Sequence, residues 1–205
     1  MRYGVLPDRM PPIPTEKMTS AQKKIASEIA ARPRGKVEGP YWPILRSPGL
    51  AECIQGVGAY FRYRCPLDRK LNEMSALMAA RSWGQQFVWD VHILQALDAG
   101  LANDKAQALA EGRRPEDMSK DEATLWDFVN EVLTTRGASD RTYERAVAEF
   151  GEEGVVDVLG ILGYYTTLSM IMNVARTDLL DDRKPPIDPA PLYLRSLESD
   201  PLRGR

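Results

Sequence analysis

The sequence predicts an all-α fold, and three observations favour it. Thr19 with Gln22, and Ser119 with Glu122, have the spacing of a capping box, which marks the start of a helix. Apolar residues recur every three or four positions, as they do along amphipathic helices. No segment shows the apolar–polar alternation with hairpin turns that is typical of strands. A chain of 205 residues is long enough for one domain with a substantial core.

Composition and charge exclude several classes of protein. Hydrophobic residues make up 43% of the chain and charged residues 27%, as in ordinary globular proteins. The net charge of -2 does not indicate a nucleic-acid-binding protein. A short basic cluster is interpreted as a solvated rim, with anion binding as the alternative; its members are Arg62, Arg64, Arg69 and Lys70. The first residues lack the apolar run of a signal peptide, so a cytoplasmic location is expected.

The cysteines and the single histidine do not form a metal or redox motif. Cys53 and Cys65 lie twelve residues apart and make no CxxC pair. Cys53 falls in an apolar helical pattern, which predicts a small core residue. One histidine with scattered carboxylates gives no metal-ligand set, and no glycine-rich phosphate loop is present. No metal and no cofactor are therefore expected.

Along the N-terminal part, proline-rich residues 1–18 predict an extended arm. The capping box at Thr19 begins a helix that ends before Pro33. Residues 32–46 predict a loop with aromatic anchors at Tyr41 and Trp42.

The next helix begins at Ser47 and Pro48, an N-cap followed by a first-turn proline. It is predicted to run to about Arg62. Its predicted apolar face consists of Leu50, Ile54, Val57 and Phe61.

Residues 67–100 predict two helices that meet near residues 82–84, the first capped by Asp68. Glu73 lies on the first helix. On the second, Gln85, Trp89 and His92 lie three to four residues apart and share a face. A carboxylate and an imidazole on neighbouring helices can form a proton-transfer pair, although spacing alone does not show that they meet.

After a short helix predicted for residues 103–112, the C-terminal half predicts three further helices. The first, residues 120–135, is expected to end at Gly137, and the second, residues 140–150, at Gly151. Residues 155–175 have the length of a membrane span. Their polar and small positions favour a helix buried in protein, so no membrane contact is expected. Residues from 181 onward, rich in Pro, Asp and Arg, predict a second arm.

Three segments resemble the carboxymuconolactone decarboxylase family, which includes the AhpD-like alkylhydroperoxidases. They are GPYWPILRSPGLAE, LNEMSALMAARSWGQQFVWDVH and LGILGYYTTLSMIMN, and the resemblance covers roughly residues 34–176. It implies an AhpD-like helical domain over residues 34–180, with an N-terminal arm and helix over 1–33 and a C-terminal arm over 181–205. It also implies a homo-oligomer, a trimer or hexamer.

The resemblance implies that Glu73 and His92 are the proton-handling residues, since they match the family's glutamate and histidine. The peroxidase branch carries a CxxC before that histidine. Gln85 and Val88 occupy the matching positions here, so thiol peroxidase activity is disfavoured. Longer relatives carry acidic residues before the histidine, where this chain has Gln86 and Val88.

Other residues are candidates for substrate binding. Arg81 could hold a substrate carboxylate through two hydrogen bonds, and Gln85 shares the histidine's face. Oxyanion donors could come from Tyr164, Tyr165 and Asn173, and an apolar wall from Trp83, Trp89 and Phe87. Each of these side chains has a purely structural alternative. Because Tyr164 and Tyr165 are adjacent, one of them is expected in the core.

These observations favour a cofactor-independent lyase of the decarboxylase type. It would use Glu73 and His92 for acid–base chemistry on a small oxidised carboxylic acid or lactone. Dehydration or isomerisation would use the same pair. The alternative hypothesis is a non-catalytic helical oligomer that binds a small ligand or a protein.

Overall fold

The computed structural model describes residues 7–31, 35–177, 179 and 187–188. A short 3-10 helix, Thr15–Lys17, precedes the α-helices. The α-helices are α1 (Ser20–Ala30), α2 (Tyr41–Ile44), α3 (Pro48–Tyr63), α4 (Arg69–Trp83), α5 (Gln86–Asp98), α6 (Asn103–Ala110), α7 (Lys120–Thr135) and α8 (Asp140–Ala175). The described residues contain no strand, and the predicted all-α class is confirmed.

Two helices, α4 and α8, form the centre of the structure. Residues 71–80 of α4 are all buried, because α5, α7 and α8 pack around this helix. Helix α8 also contacts α2 and α3. Glu73 is therefore buried on the helix that packs against α5, α7 and α8.

The local start and stop signals are largely confirmed. Both capping boxes are present, at Thr19 with Gln22 and at Ser119 with Glu122. The Asp68 carboxylate accepts a hydrogen bond from the backbone N–H of Lys70 at 2.9 Å. Gly84 adopts a left-handed conformation with φ of 57° and ends α4. The two helices predicted within residues 67–100 are thus α4 and α5.

The predicted apolar face of α3 is partly wrong. Ile54 and Phe61 are buried, but Leu50 and Val57 are 45% and 44% exposed. Cys53, expected in the core, is exposed as well. The reason is rotational: α3 turns Ile54 and Phe61 inward together with Gly58, which is buried where Tyr164 of α8 approaches it.

Two other segments also differ from expectation. Residues 41–44, expected within a loop, form α2, and Tyr41 is buried. Gly137 does not end α7; Arg136 takes the left-handed conformation instead, with φ of 69°. At Gly151 the predicted break is confirmed, since its φ of 69° and ψ of 171° interrupt α8.

The described parts of the two arms lie against the helical body. The backbone N–H of Arg9 donates to the carbonyl of Ala175 at 2.7 Å, and Arg46 donates to the carbonyl of Pro11 at 2.8 Å. Ile187, the buried part of the C-terminal arm, accepts a hydrogen bond from Gln86. Apart from Ile187 and Asp188, residues 181–205 lie outside the described residues.

By length and composition, α8 is apolar enough to cross a membrane. Half of its most apolar 18-residue window is buried inside the protein. The same test is passed by core helices of globular proteins, and the packing of α4, α7 and α3 on α8 matches that case.

Candidate functional site

The structure brings Glu73 and His92 together. Oε2 of Glu73 lies 2.6 Å from Nδ1 of His92, and the two side chains are buried. Two cations near Glu73 in the sequence pair elsewhere: Arg69 pairs with Asp98 at 2.9 Å, and Lys70 with Glu122 at 2.8 Å. The carboxylate is therefore available to the imidazole.

This contact defines how the imidazole can react. When Nδ1–H donates to the Glu73 carboxylate, the Nε2 lone pair becomes the basic site of His92. Among the described residues no other group makes a hydrogen bond to the His92 side chain. The arrangement suits a general base that becomes a general acid after protonation, with the carboxylate stabilising the imidazolium.

Tyr165 completes the immediate surroundings of the imidazole. Its ring meets the His92 ring edge to face, with centroids 4.6 Å apart. Burial, followed by the negative charge of Glu73, raises the pKa of the Tyr165 phenol, against the opposing effect of Arg62. The hydroxyl consequently stays protonated and remains a hydrogen-bond donor.

Tyr164 extends this group towards α2 and α3. Its ring lies 5.0 Å from that of Tyr165, and its hydroxyl is 3.4 Å from the hydroxyl of Tyr41. Tyr165 is the buried member of the adjacent pair, and Tyr164 is half-buried. Tyr41 was missed as a site residue, because its segment reads as a loop and its partner is 123 residues away.

Three of the candidate residues, together with Thr166, form a second cluster that joins the α4–α5 turn to α8. Gln85 donates to Asn173 at 2.8 Å, and Asn173 donates to the carbonyl of Trp83 at 2.9 Å. The Trp83 indole donates to Thr166 at 3.1 Å. These contacts hold the end of α5 in place beside α8. A substrate role for Trp83, Gln85 and Asn173 remains a prediction.

Arg81 and Trp89 are placed differently. Arg81 donates to the carbonyl of Ala110 at 2.7 Å, and eight residues, or about 12 Å of helix, separate it from Glu73. Trp89 is 1% exposed, and its indole N–H has no hydrogen-bond partner among the described residues. Neither residue contacts the imidazole through a hydrogen bond, and their predicted substrate roles remain predictions.

Comparison with solved structures assigns the architecture. An Agrobacterium tumefaciens protein of unknown function, described as an antioxidant defence protein AhpD, is 20% identical, with a TM-score of 0.61 over 68% of this chain and 96% of its own. The debrominase Bmp8 without ligand is 12% identical, with a TM-score of 0.64 over 92% of this chain and 97% of its own. This chain has the AhpD-like fold.

The structure of a cysteine-to-alanine variant of Bmp8, in complex with 2,3,4-tribromopyrrole, is also similar to that of this AhpD-like chain. It is 12% identical, with a TM-score of 0.65 over 95% of this chain and 100% of its own. No family model matches the sequence, and a search of curated proteins finds no match. The predicted AhpD-like resemblance is confirmed for the fold.

Within this AhpD-like fold, the cysteines do not lie on the helices that carry Glu73, His92 and Tyr165. Cys53 is exposed on α3, and Cys65 is half-buried beyond its end. Burial, above all, raises the pKa of the Cys65 thiol, which lowers its thiolate fraction. The described residues contain no group of three or more potential metal ligands.

Proposed function

We propose that this protein is an enzyme that uses His92 and Glu73 for proton transfer on a small oxidised carboxylic acid or lactone, without a cofactor. The observation that carries the proposal is the buried 2.6 Å contact between the carboxylate and Nδ1. Catalysis by proteins of this fold is supported by the debrominase among its structural neighbours. Decarboxylation is the reaction that we place first.

In decarboxylation, the bond between the substrate and its carboxylate breaks and CO₂ leaves. The electron pair passes into a neighbouring carbonyl group and forms an enolate. Protonated His92 then gives its Nε2 proton to the carbanion carbon, and Glu73 stabilises the imidazolium before this step. The Tyr165 hydroxyl is suited to donate a hydrogen bond to the enolate oxygen. Dehydration or isomerisation would use the same proton donor and acceptor.

Assembly into a homo-oligomer is part of the proposal. It is supported by an apolar stripe that no described residue covers along one face of α8, consisting of Val156, Leu159, Met170 and Val174. Exposed apolar residues at this helical spacing are typical of a surface that packs against another chain.

An NMR time course in D₂O tests the catalytic proposal. Purified protein and a His92→Gln variant would be incubated with 4-carboxymuconolactone and a panel of related unsaturated acids and lactones. Loss of CO₂ that depends on His92 would support a decarboxylase. Deuterium exchange or water loss that depends on His92, without CO₂, would move the reaction to isomerisation or dehydration. Equal turnover by both proteins would show that the proposed mechanism is wrong.

The same samples test the non-catalytic alternative. Ligand binding is followed by the shifts of protein signals. If no compound is converted and binding is the same in both proteins, a binding scaffold becomes the better description. Comparison of circular dichroism spectra and thermal unfolding shows whether His92→Gln is folded.

A further inference from the structure

The apolar stripe on α8 is symmetric about one residue, Gly163. Val156 lies seven residues before Gly163 and Met170 seven residues after it, and Leu159 and Thr167 lie four residues before and after it. Positions seven apart differ by only about 20° around a helix, so these residues share one face. A face that extends equally in both directions from its midpoint matches a second copy of the same helix that runs the opposite way.

Gly163 is exposed in the middle of this face. Glycine is unfavourable inside a helix, and alanine would fit here, since a Cβ on Gly163 meets no described atom within 4 Å. By contrast, Gly160 on the same helix is required by the Phe61 ring, which lies 2.7 Å from the position of a Cβ. An exposed glycine at the centre of an apolar face allows another backbone to approach closely.

The stripe can be covered without the loss of a hydrogen bond at its centre. Its four apolar side chains are between 42% and 66% exposed. The hydroxyl of Thr167, which lies among them, donates to the carbonyl of Gly163 at 2.9 Å. Because this hydroxyl is satisfied within the helix, covering the face removes apolar surface from water at little polar cost.

Opposite charges lie at the two ends of the stripe. At the C-terminal end, the Arg9 guanidinium donates to the carbonyl of Val174 at 3.2 Å, and the Arg9 backbone N–H donates to that of Ala175 at 2.7 Å. At the other end, Glu152 is exposed and lies as far before Gly163 as Val174 lies after it. None of the ion pairs between described residues involves Arg9 or Glu152.

We propose that two copies of this chain pack α8 against α8 in antiparallel orientation, crossing at Gly163, with Arg9 of each copy paired to Glu152 of the other. Val156 of one copy then meets Met170 of the other. The inference rests on the homo-oligomer of the proposed function and adds which surface forms it. Such a contact is isologous, so it builds a dimer or a hexamer of three pairs, and not a trimer.

Disulfide cross-linking of single-cysteine variants tests this arrangement. In a Cys53→Ser, Cys65→Ser background, the variants Gly163→Cys, Val156→Cys and Gly56→Cys would be compared. Oxidised glutathione takes two electrons from two thiols, which lose their protons as the S–S bond forms, and leaves as two molecules of glutathione. Gly56→Cys is the matched control, since Gly56 is also an exposed helical glycine with no described atom within 4 Å of its Cβ.

We expect Gly163→Cys to form a disulfide-linked dimer at least about tenfold faster than Gly56→Cys, because two Gly163 residues meet at the twofold axis. The two Val156 residues of an antiparallel pair lie about 21 Å apart along the helices, so Val156→Cys alone should not cross-link. Mixed with Met170→Cys, it should. The proposal is overturned if Gly163→Cys reacts no faster than Gly56→Cys, or if Val156→Cys alone reacts as fast as Gly163→Cys, the result expected of parallel helices.

Sedimentation equilibrium under reducing conditions gives a second test in the chain with its natural cysteines. Arg9→Glu and Glu152→Arg should each raise the dissociation constant by about threefold to thirtyfold, because like charges then face each other at both ends of the interface. The double variant should recover most of the original affinity. If the double variant is no tighter than the single ones, Arg9 and Glu152 do not pair.

The assembly and this interface fail in different ways. A monomer at every protein concentration would remove both. An oligomer in which Gly163→Cys cross-links no faster than Gly56→Cys would retain the assembly and remove the α8 contact. The catalytic part of the proposed function is tested separately, by turnover that depends on His92.

Discussion

The Glu73 carboxylate and the His92 imidazole meet at 2.6 Å although they lie on different helices, 19 residues apart. The contact is buried between α4 and α5, and the ring of Tyr165 on α8 packs against the imidazole. Because the bond uses Nδ1, it orients the ring and leaves Nε2 as the reactive nitrogen.

Replacing Glu73 with Gln should disturb the imidazole while leaving the chain folded. The Gln amide can donate to Nδ1 and so stabilise the opposite tautomer, and it removes the charge that stabilises the imidazolium. We expect a mixture of tautomers in the imidazole ¹⁵N spectrum and a loss of turnover of about 10²- to 10⁴-fold.

The control for this change is Asp157→Asn, which neutralises another buried carboxylate, one bonded to Tyr60 instead of the imidazole. It should leave the ¹⁵N signals of His92 unchanged. Retention of both the original tautomer and full turnover in Glu73→Gln would contradict the role assigned to Glu73.

Gly58→Ala should destabilise the protein by displacing Tyr164. The added Cβ would lie 2.3 Å from the phenol oxygen and 2.8 Å from the ring carbon that bears it, so the ring has to move. We expect a loss of about 1–3 kcal/mol in the free energy of unfolding, measured by urea denaturation. The additional variant Tyr164→Phe should restore part of this loss, since it removes the nearest atom.

Gly56→Ala on the same helix is the matched control. A Cβ on Gly56 meets no atom within 4 Å, and alanine is the better helix former by roughly 0.5–1 kcal/mol. This variant should be as stable as the unmodified protein or more stable. Equal destabilisation by both changes would show that α3 does not approach Tyr164 as described.

Glu122→Gln should remove a stabilising contribution that depends on pH. Burial would raise the pKa of Glu122, but hydrogen bonds from Lys105 and Lys70 outweigh it and lower the pKa from 4.5 to about 2. A lowered pKa stabilises the folded state above the unfolded-state pKa, and the effect fades as pH falls from 4.5 to about 2. We expect the variant to lose about 3 kcal/mol at pH 7.

Urea denaturation at a series of pH values measures this difference. The stabilities of Glu122→Gln and the unmodified protein should converge as the pH approaches 2. Glu111→Gln is the control, because Glu111 also accepts hydrogen bonds from Gln107 and Arg113 but is exposed. It should have little effect. A difference for Glu122→Gln that does not change with pH would contradict the electrostatic explanation.

The phenol of Tyr60 should lose its proton at a higher pH than an ordinary tyrosine. Its hydroxyl donates to Oδ1 of Asp157 at 2.9 Å, and this hydrogen bond, with burial and the charge of Asp157, raises the pKa of Tyr60 to about 12. Subtracting the ultraviolet titration curve of Tyr60→Phe from that of the unmodified protein gives the titration curve of the Tyr60 phenol alone. Asp157→Asn should return the pKa towards the ordinary value of 10. If Asp157→Asn does not shift the titration curve of Tyr60, the hydrogen bond to Asp157 is not the cause of the raised pKa.

Signals that act within one helical turn were readable from the sequence. The capping boxes, the Asp68 cap and the breaks at Gly84 and Gly151 all depend on neighbours a few residues away. Such local hydrogen bonds and backbone preferences do not require knowledge of the fold. The end of α7 was predicted one residue too late: the left-handed residue is Arg136 and not Gly137.

The orientation of α3 could not be read in this way. Its apolar residues occupy more than one face, and the sequence does not say which face is covered. Packing against α1, α2 and α8 buries Ile54, Gly58 and Phe61, and it leaves Cys53 and Val57 exposed. Tyr41 joins Tyr164 for the same reason, since α2 packs on both α3 and α8.

From the sequence alone came the all-α class, the AhpD-like resemblance, and Glu73 and His92 as candidate partners. The tertiary structure decided that these two side chains meet, that Tyr165 contacts the imidazole, and that Arg81 donates to the carbonyl of Ala110. The physical reason is that capping and helix periodicity act along the chain. The distance between side chains on different helices depends instead on how complete apolar faces pack together.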